Sequence, residues 1–137
     1  MDIIKLGPIG AEISDINLKD ISKHELSFIK QSFLENSVLV FKKQNLNPEE
    51  LKSISYLWGK PLVHPVFKGI EGHPEIIEIR NHGEKYHTNA HWHSDVTFEE
   101  TPPDATLLYS LEVPQEGGDT LFSSPVSYTH LTLPTKA

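Results

Sequence analysis

His93-Ser94-Asp95 places an imidazole and a carboxylate two positions apart, and these are the side chains of this sequence best suited to hold a metal ion. On an extended backbone, residues two apart point to the same side. Together they supply two of the three ligands of a 2-His-1-carboxylate facial triad, the donor set of non-haem Fe(II) oxygen chemistry, which leaves open positions on the metal. His91 shares that face, so His91, His93 and Asp95 formally make a three-ligand run. Their outer Cα positions would lie about 13 Å apart at strand rise, too far for easy convergence on one ion. Two adjacent ligands and a third from elsewhere in the chain is the better geometry. His82 and His87 read as polar loop residues.

The rest of the composition narrows the chemistry. The chain has 137 residues and no cysteine, which removes disulfides and thiolate sites and leaves His, Asp and Glu as the strong metal ligands. A net charge of -7 argues against nucleic acid as a partner. With 37% hydrophobic residues and no apolar run of spanning length, a membrane role is not expected. The opening Met1-Asp2-Ile3-Ile4-Lys5 does not read as a signal peptide, so the expected location is cytoplasmic. The length suits one domain or part of one.

The elements that must position the pair change character along the chain. Ile3–Leu6 and Ala11–Ile13 read as short strands joined by the Gly7–Gly10 turn. Ser22 and Glu25 form a capping-box pattern, and Leu26, Ile29 and Phe33 then put one apolar face on a helix over Lys23–Leu34. Ser37–Phe41 reads as a buried strand. Asn47-Pro48-Glu49-Glu50 starts a second helix, with Leu51, Ile54 and Leu57 facing the core and Gly59 ending it. Beyond Gly59 the pattern is β. Ile76–Arg80, His91–Phe98, Ala105–Val113 and Thr120–Phe122 read as strands, with a turn at Pro114–Asp119. This order predicts an α+β chain, a sheet wrapped around a central site with helices outside.

Several blocks then carry a resemblance. Trp92–Phe98, Glu100-Thr101-Pro102-Pro103 and Gly117-Gly118-Asp119-Thr120-Leu121-Phe122 resemble, in order and spacing, the TauD/TfdA family of Fe(II)/2-oxoglutarate-dependent oxygenases. Gly10–Ile13, Val38–Phe41, Gly59–Leu62 and His64-Pro65-Val66 extend the likeness over nearly the whole chain up to Ser124. The resemblance implies a double-stranded β-helix (jelly-roll) with flanking helices, here truncated. It implies that His93 and Asp95 bind Fe(II) and that Thr120 hydrogen-bonds 2-oxoglutarate. It also implies that His64, Phe67, Asn89 and Val96 line the substrate site. Phe67 stands where taurine dioxygenase has a tyrosine whose hydroxyl helps bind the sulfonate, which points away from taurine itself.

The family pattern also asks for a second metal histidine and a following arginine. After Ser124 there is no arginine, and His130 is the single histidine. Val126–Thr135 resembles the translated read-through of a transposase-type sequencing adapter, so His130 is not assigned as a ligand. The chain therefore divides into residues 1–124, the N-terminal part of the oxygenase domain, and a non-native tail, 125–137. Without the remaining strands, the expected outcome is an open sheet with His93 and Asp95 partly uncovered.

The expected function is an Fe(II)- and 2-oxoglutarate-dependent dioxygenase hydroxylating a small anionic substrate, sulfonate-like or a related acid, with the 137-residue chain itself an inactive fragment. Its partners are that substrate and O₂, and a homo-oligomer of the parent protein is left open. The rival is a non-catalytic, cupin-like metal-binding module built on the His91/His93/Asp95 face. Substrate-independent succinate formation with Fe(II) would favour the enzyme, and tight Zn(II) binding without turnover the module.

Overall fold

The computed structural model describes residues 1–80 and 91–124. Asn89, His82 and His87 lie outside the described residues, as do His130 and the tail from 125. The chain forms two units, residues 1–44 with the segment from Ser110, and residues 45–109.

In the first unit, β1 (Asp2–Lys5) and β2 (Ala11–Ser14) form an antiparallel hairpin with Ile3 opposite Ile13, and β3 (Leu39–Phe41) runs parallel to β2. Leu6 N–H donates to Gly10 O at 3.0 Å to close the hairpin, and Gly10 adopts φ 90°, a conformation that penalises any Cβ. Parallel neighbours cannot be joined by a tight turn, and α1 (Lys23–Asn36) lies within the crossover. Ser22 caps α1 through its hydroxyl, which accepts from Glu25 N–H, while the Glu25 carboxylate accepts from Ser22 N–H at 2.9 Å. The helix runs two residues past the expected Leu34. It ends at Ser37 in the left-handed region, φ 64°, with Ser37 N–H donating to Phe33 O at 2.7 Å. Its buried face is Ile29, Ser32 and Asn36, whereas Leu26 and Phe33 are half-buried. Asn36 is accommodated by donating to Ser32 O at 2.8 Å. Ala11 and Ile13 of β2 are buried along with Ile29.

In the second unit, α2 (Pro48–Ser55) has a reciprocal capping box between Asn47 and Glu50. It stops before Gly59, because the amides of Leu57 and Trp58 bond to Ile54 O and Ser55 O in tightened i→i+3 turns. Ile54 is the buried residue of this helix, and Leu51 and Leu57 are half-buried. The segment 70–76 closes on itself, with Ile70 N–H donating to Ile76 O at 2.8 Å and Ile76 N–H to His73 O at 3.1 Å. Lys52 of α2 pairs with Glu75 of that segment at 3.0 Å. The Glu75 side chain is 8% exposed, so the pair is shielded on one side.

The strands expected at Ile76–Arg80, His91–Phe98, Ala105–Val113 and Thr120–Phe122 are absent. Among the described residues beyond α2, the one β contact is an isolated bridge between Ile70 and His73. Alternating or β-branched sequence favours a strand only where a neighbouring strand takes up its backbone groups. Among the described residues these stretches join no sheet. Leu108, Leu111, Val113, Leu121 and Phe122 are all exposed.

Candidate functional site

The His93–Asp95 pair forms without the strand expected to build it. Trp92–Ser94 belong to no regular element, and a turn begins at Asp95. Glu99 N–H donates to Val96 O at 3.3 Å, and Val96 sits at φ 51°. A β-branched residue rarely adopts that conformation. The turn ends the extended path that would have lined up His91, His93 and Asp95.

His91 contributes its backbone. His93 Nδ1 lies 2.7 Å from His91 O, and a carbonyl oxygen can only accept, so Nδ1 is the donor. In the neutral ring this leaves the lone pair on Nε2, which stands 3.3 Å from Asp95 Oδ1. Two lone-pair atoms so placed repel unless a proton or a cation joins them. Two donors 3.3 Å apart can both lie about 2.1 Å from one ion at an angle of roughly 100°, near that of adjacent octahedral positions. One imidazole nitrogen and one carboxylate oxygen suit Fe(II), Mn(II) or Zn(II), and the carbonyl that fixes the ring is the usual outer-shell partner of a metal-bound histidine. The pair therefore fits a divalent metal. Both side chains are about half exposed, at 53% and 49%. Among the described residues no group of three or more His, Asp or Glu side chains is placed to hold a metal.

His64 is the second organised residue of this unit. Its Nδ1 accepts from the N–H groups of Val66 and Phe67, each at 3.1 Å. The neutral ring then carries its proton on Nε2 and presents a single N–H donor. Phe67 lies beside it with ring centroids 4.8 Å apart, and Phe98 approaches edge-on at 6.4 Å and 78°. Val96 is half-buried in the turn between Asp95 and Phe98. Thr120 is exposed on an irregular segment of the other unit, in place of the strand expected there. The sequence placed Phe98 at the end of an expected strand and did not anticipate its contact with His64. The signal would have been the turn itself, which the β-branched Val96-Thr97 disguises as strand.

The sequence matches the taurine catabolism dioxygenase TauD, TfdA family over residues 2–133. The chain belongs to this family. It is 35% identical over 120 residues to an alkylsulfatase of Acinetobacter baylyi, covering 86% of this chain and 37% of that protein. An alpha-ketoglutarate-dependent sulfate ester dioxygenase of Pseudomonas putida is 30% identical over 121 residues, 86% of this chain and 39% of its own length. An alpha-ketoglutarate-dependent sulfonate dioxygenase of Saccharomyces cerevisiae is 30% identical over 142 residues, 92% and 34% of the two chains. This chain thus spans less than two fifths of each of these relatives. Among solved structures, a taurine dioxygenase from Burkholderia xenovorans superposes with a TM-score of 0.50 at 32% identity, covering 53% of this chain and 27% of that one. No helix among the described residues is long and apolar enough to cross a membrane.

Proposed function

We propose that the protein carrying this chain is an Fe(II)- and 2-oxoglutarate-dependent dioxygenase acting on a small sulfonate or sulfate ester, with a jelly-roll as its complete fold. The observation that carries this reading is the His93–Asp95 pair, its two donor atoms 3.3 Å apart and the imidazole oriented by the His91 carbonyl. Family membership and relatives named for alpha-ketoglutarate (2-oxoglutarate) dependence support it.

His93 and Asp95 would hold the iron, which with 2-oxoglutarate and O₂ supplies the oxidising chemistry when bound. The chain's own part is placement. His91 O keeps the His93 ring in the tautomer that leaves Nε2 free. His64 offers its Nε2–H to an anionic oxygen of the substrate, and Phe67, Val96 and Asn89 complete the substrate contacts. Thr120 would hydrogen-bond a carboxylate of 2-oxoglutarate.

The test is succinate formation by the full-length protein with Fe(II), 2-oxoglutarate and a panel of sulfonates, sulfate esters and carboxylates. Stimulation confined to the sulfur oxyanions is expected. Tight Zn(II) binding with no turnover on any member would instead favour a metal-binding module. The family match continues to residue 133, across part of the stretch read as foreign, so independent reads through the Ser124 codon decide whether 125–137 is native.

A further inference from the structure

A cluster of charged side chains joins α2 to the segment 70–76 and so closes the base of the intervening loop, residues 56–69. Lys52 Nζ lies 3.0 Å from Glu75 Oε1, and His73 Nδ1 stands 3.9 Å from the same carboxylate oxygen. Glu49 Oε2, on α2, lies 3.8 Å from His73 Nδ1. Lys68 and Glu71, beside the cluster in sequence, are exposed to solvent. The His73 side chain is 18% exposed, and its Nδ1 is buried with no hydrogen-bond partner among the described residues. A buried polar atom without a partner is costly, and the two carboxylates are the groups placed to satisfy it. Glu75 is held by Lys52, whereas the Glu49 side chain is 72% exposed and has room to move. A shift of about 1 Å would bring its oxygen to hydrogen-bond length from Nδ1.

We propose that His73 is a pH-sensitive clamp at the base of this loop, which when protonated bridges Glu49 and Glu75 and fastens the segment 70–76 to α2. The neutral ring either turns a lone pair toward two acceptors or donates a bond without charge assistance, about half as strong. The protonated ring donates with its charge. Lys52 offsets one of the two carboxylates, which leaves one negative charge in excess beside the imidazole. An imidazole changes charge between about pH 5 and 8. In that range the Lys52–Glu75 pair stays charged, since their hydrogen bond holds Glu75 below 4.5 and Lys52 above 10.5. The clamp is therefore closed at the acid end of the range. At the alkaline end the Lys52–Glu75 pair alone fastens the segment.

Amide hydrogen exchange in the full-length protein tests this at Ile70 and Ile76, whose N–H groups bond to Ile76 O and His73 O. After correction for the intrinsic pH dependence of exchange, their protection is expected to be about threefold higher at about pH 5.5 than at about pH 8, the size of a largely screened ion pair. The amide of Ala11, in β2 of the other unit, should show no such change. His73→Gln should keep the alkaline wild-type protection at both pH values. Glu49→Gln should remove roughly half or more of the difference, and unchanged Ala11 protection in each variant shows that it is folded. Equal protection of Ile70 and Ile76 at the two pH values in wild type, or the same trend at Ala11, overturns the clamp. So does a pH dependence that persists in folded His73→Gln. If that variant does not fold, an undiminished dependence in Glu49→Gln overturns it instead. None of these outcomes bears on the proposed function.

Discussion

Replacing Asp95 by alanine removes one of the two proposed donor atoms and the negative charge that accompanies it. The Asp95 side chain is 49% exposed, so a water-like dielectric is the appropriate lower bound for its interaction with a bound cation. A unit negative charge about 2.1 Å from a divalent ion then contributes about 4 kcal/mol, or roughly a thousandfold in affinity. Asp95→Asn keeps an oxygen donor but loses the charge, and should show most of the same loss. Titration of the full-length protein with Mn(II), followed by electron paramagnetic resonance of the free ion, measures both variants directly. Asp104→Ala, an exposed carboxylate nine residues further on, serves as the control and should bind as wild type does. Mn(II) affinity of Asp95→Ala within threefold of wild type would refute the ligand assignment and the geometric reasoning behind it.

Nitrogen-15 spectra of histidine-labelled protein should show neutral His64 protonated at Nε2; an Nδ1–H signal would contradict its two backbone hydrogen bonds. Ile13→Ala, at a site 1% exposed in the central strand, should lower the stability of the first unit by about 2–5 kcal/mol in urea. Leu34→Ala, at a site 78% exposed, should change it by less than about 0.5 kcal/mol. The Lys52–Glu75 pair predicts a pH window. The hydrogen bond from Lys52, helped by Glu75's own backbone amide, holds the Glu75 carboxyl below the ordinary 4.5, and the same contact raises Lys52 above 10.5. The Glu75 contribution is therefore present above pH 4.5 and lost as pH falls below it, and that of Lys52 is lost as pH rises past 10.5. Acid and base unfolding of Lys52→Met/Glu75→Gln should be correspondingly flatter than wild type, and identical profiles would remove this pair from the account.

The first half of the fold was legible because its signals are local. Ser22 with Glu25, and Asn47 with Pro48 and Glu50, announce helix starts through hydrogen bonds spanning three residues, and both capping boxes form. Gly10 marked the hairpin because its backbone needs a positive φ. Helix ends were less legible, since Ser37 takes a left-handed cap that usually falls to glycine, and α2 tightens before Gly59. The expectation of strands beyond Gly59 did not survive, since Val96-Thr97 and Ala105–Val113 have strand-forming residues but join no sheet among the described residues.

The sequence alone determined which residues are proposed as donors and their closeness along the chain, because His93 and Asp95 are two residues apart whatever the backbone does. Family membership was likewise written in the order and spacing of its blocks. Only the tertiary structure decided how the donors meet, through a turn with Val96 in the left-handed region instead of a strand face. It also decided that His91 serves through its carbonyl, and that Phe98 reaches His64 across thirty-four positions of chain. The physical reason is one of range. Caps, glycine turns and ligand spacing act over a few residues and can be read in order. Strand pairing, hydrogen-bonded tautomers and ring contacts depend on neighbours that only folding brings together.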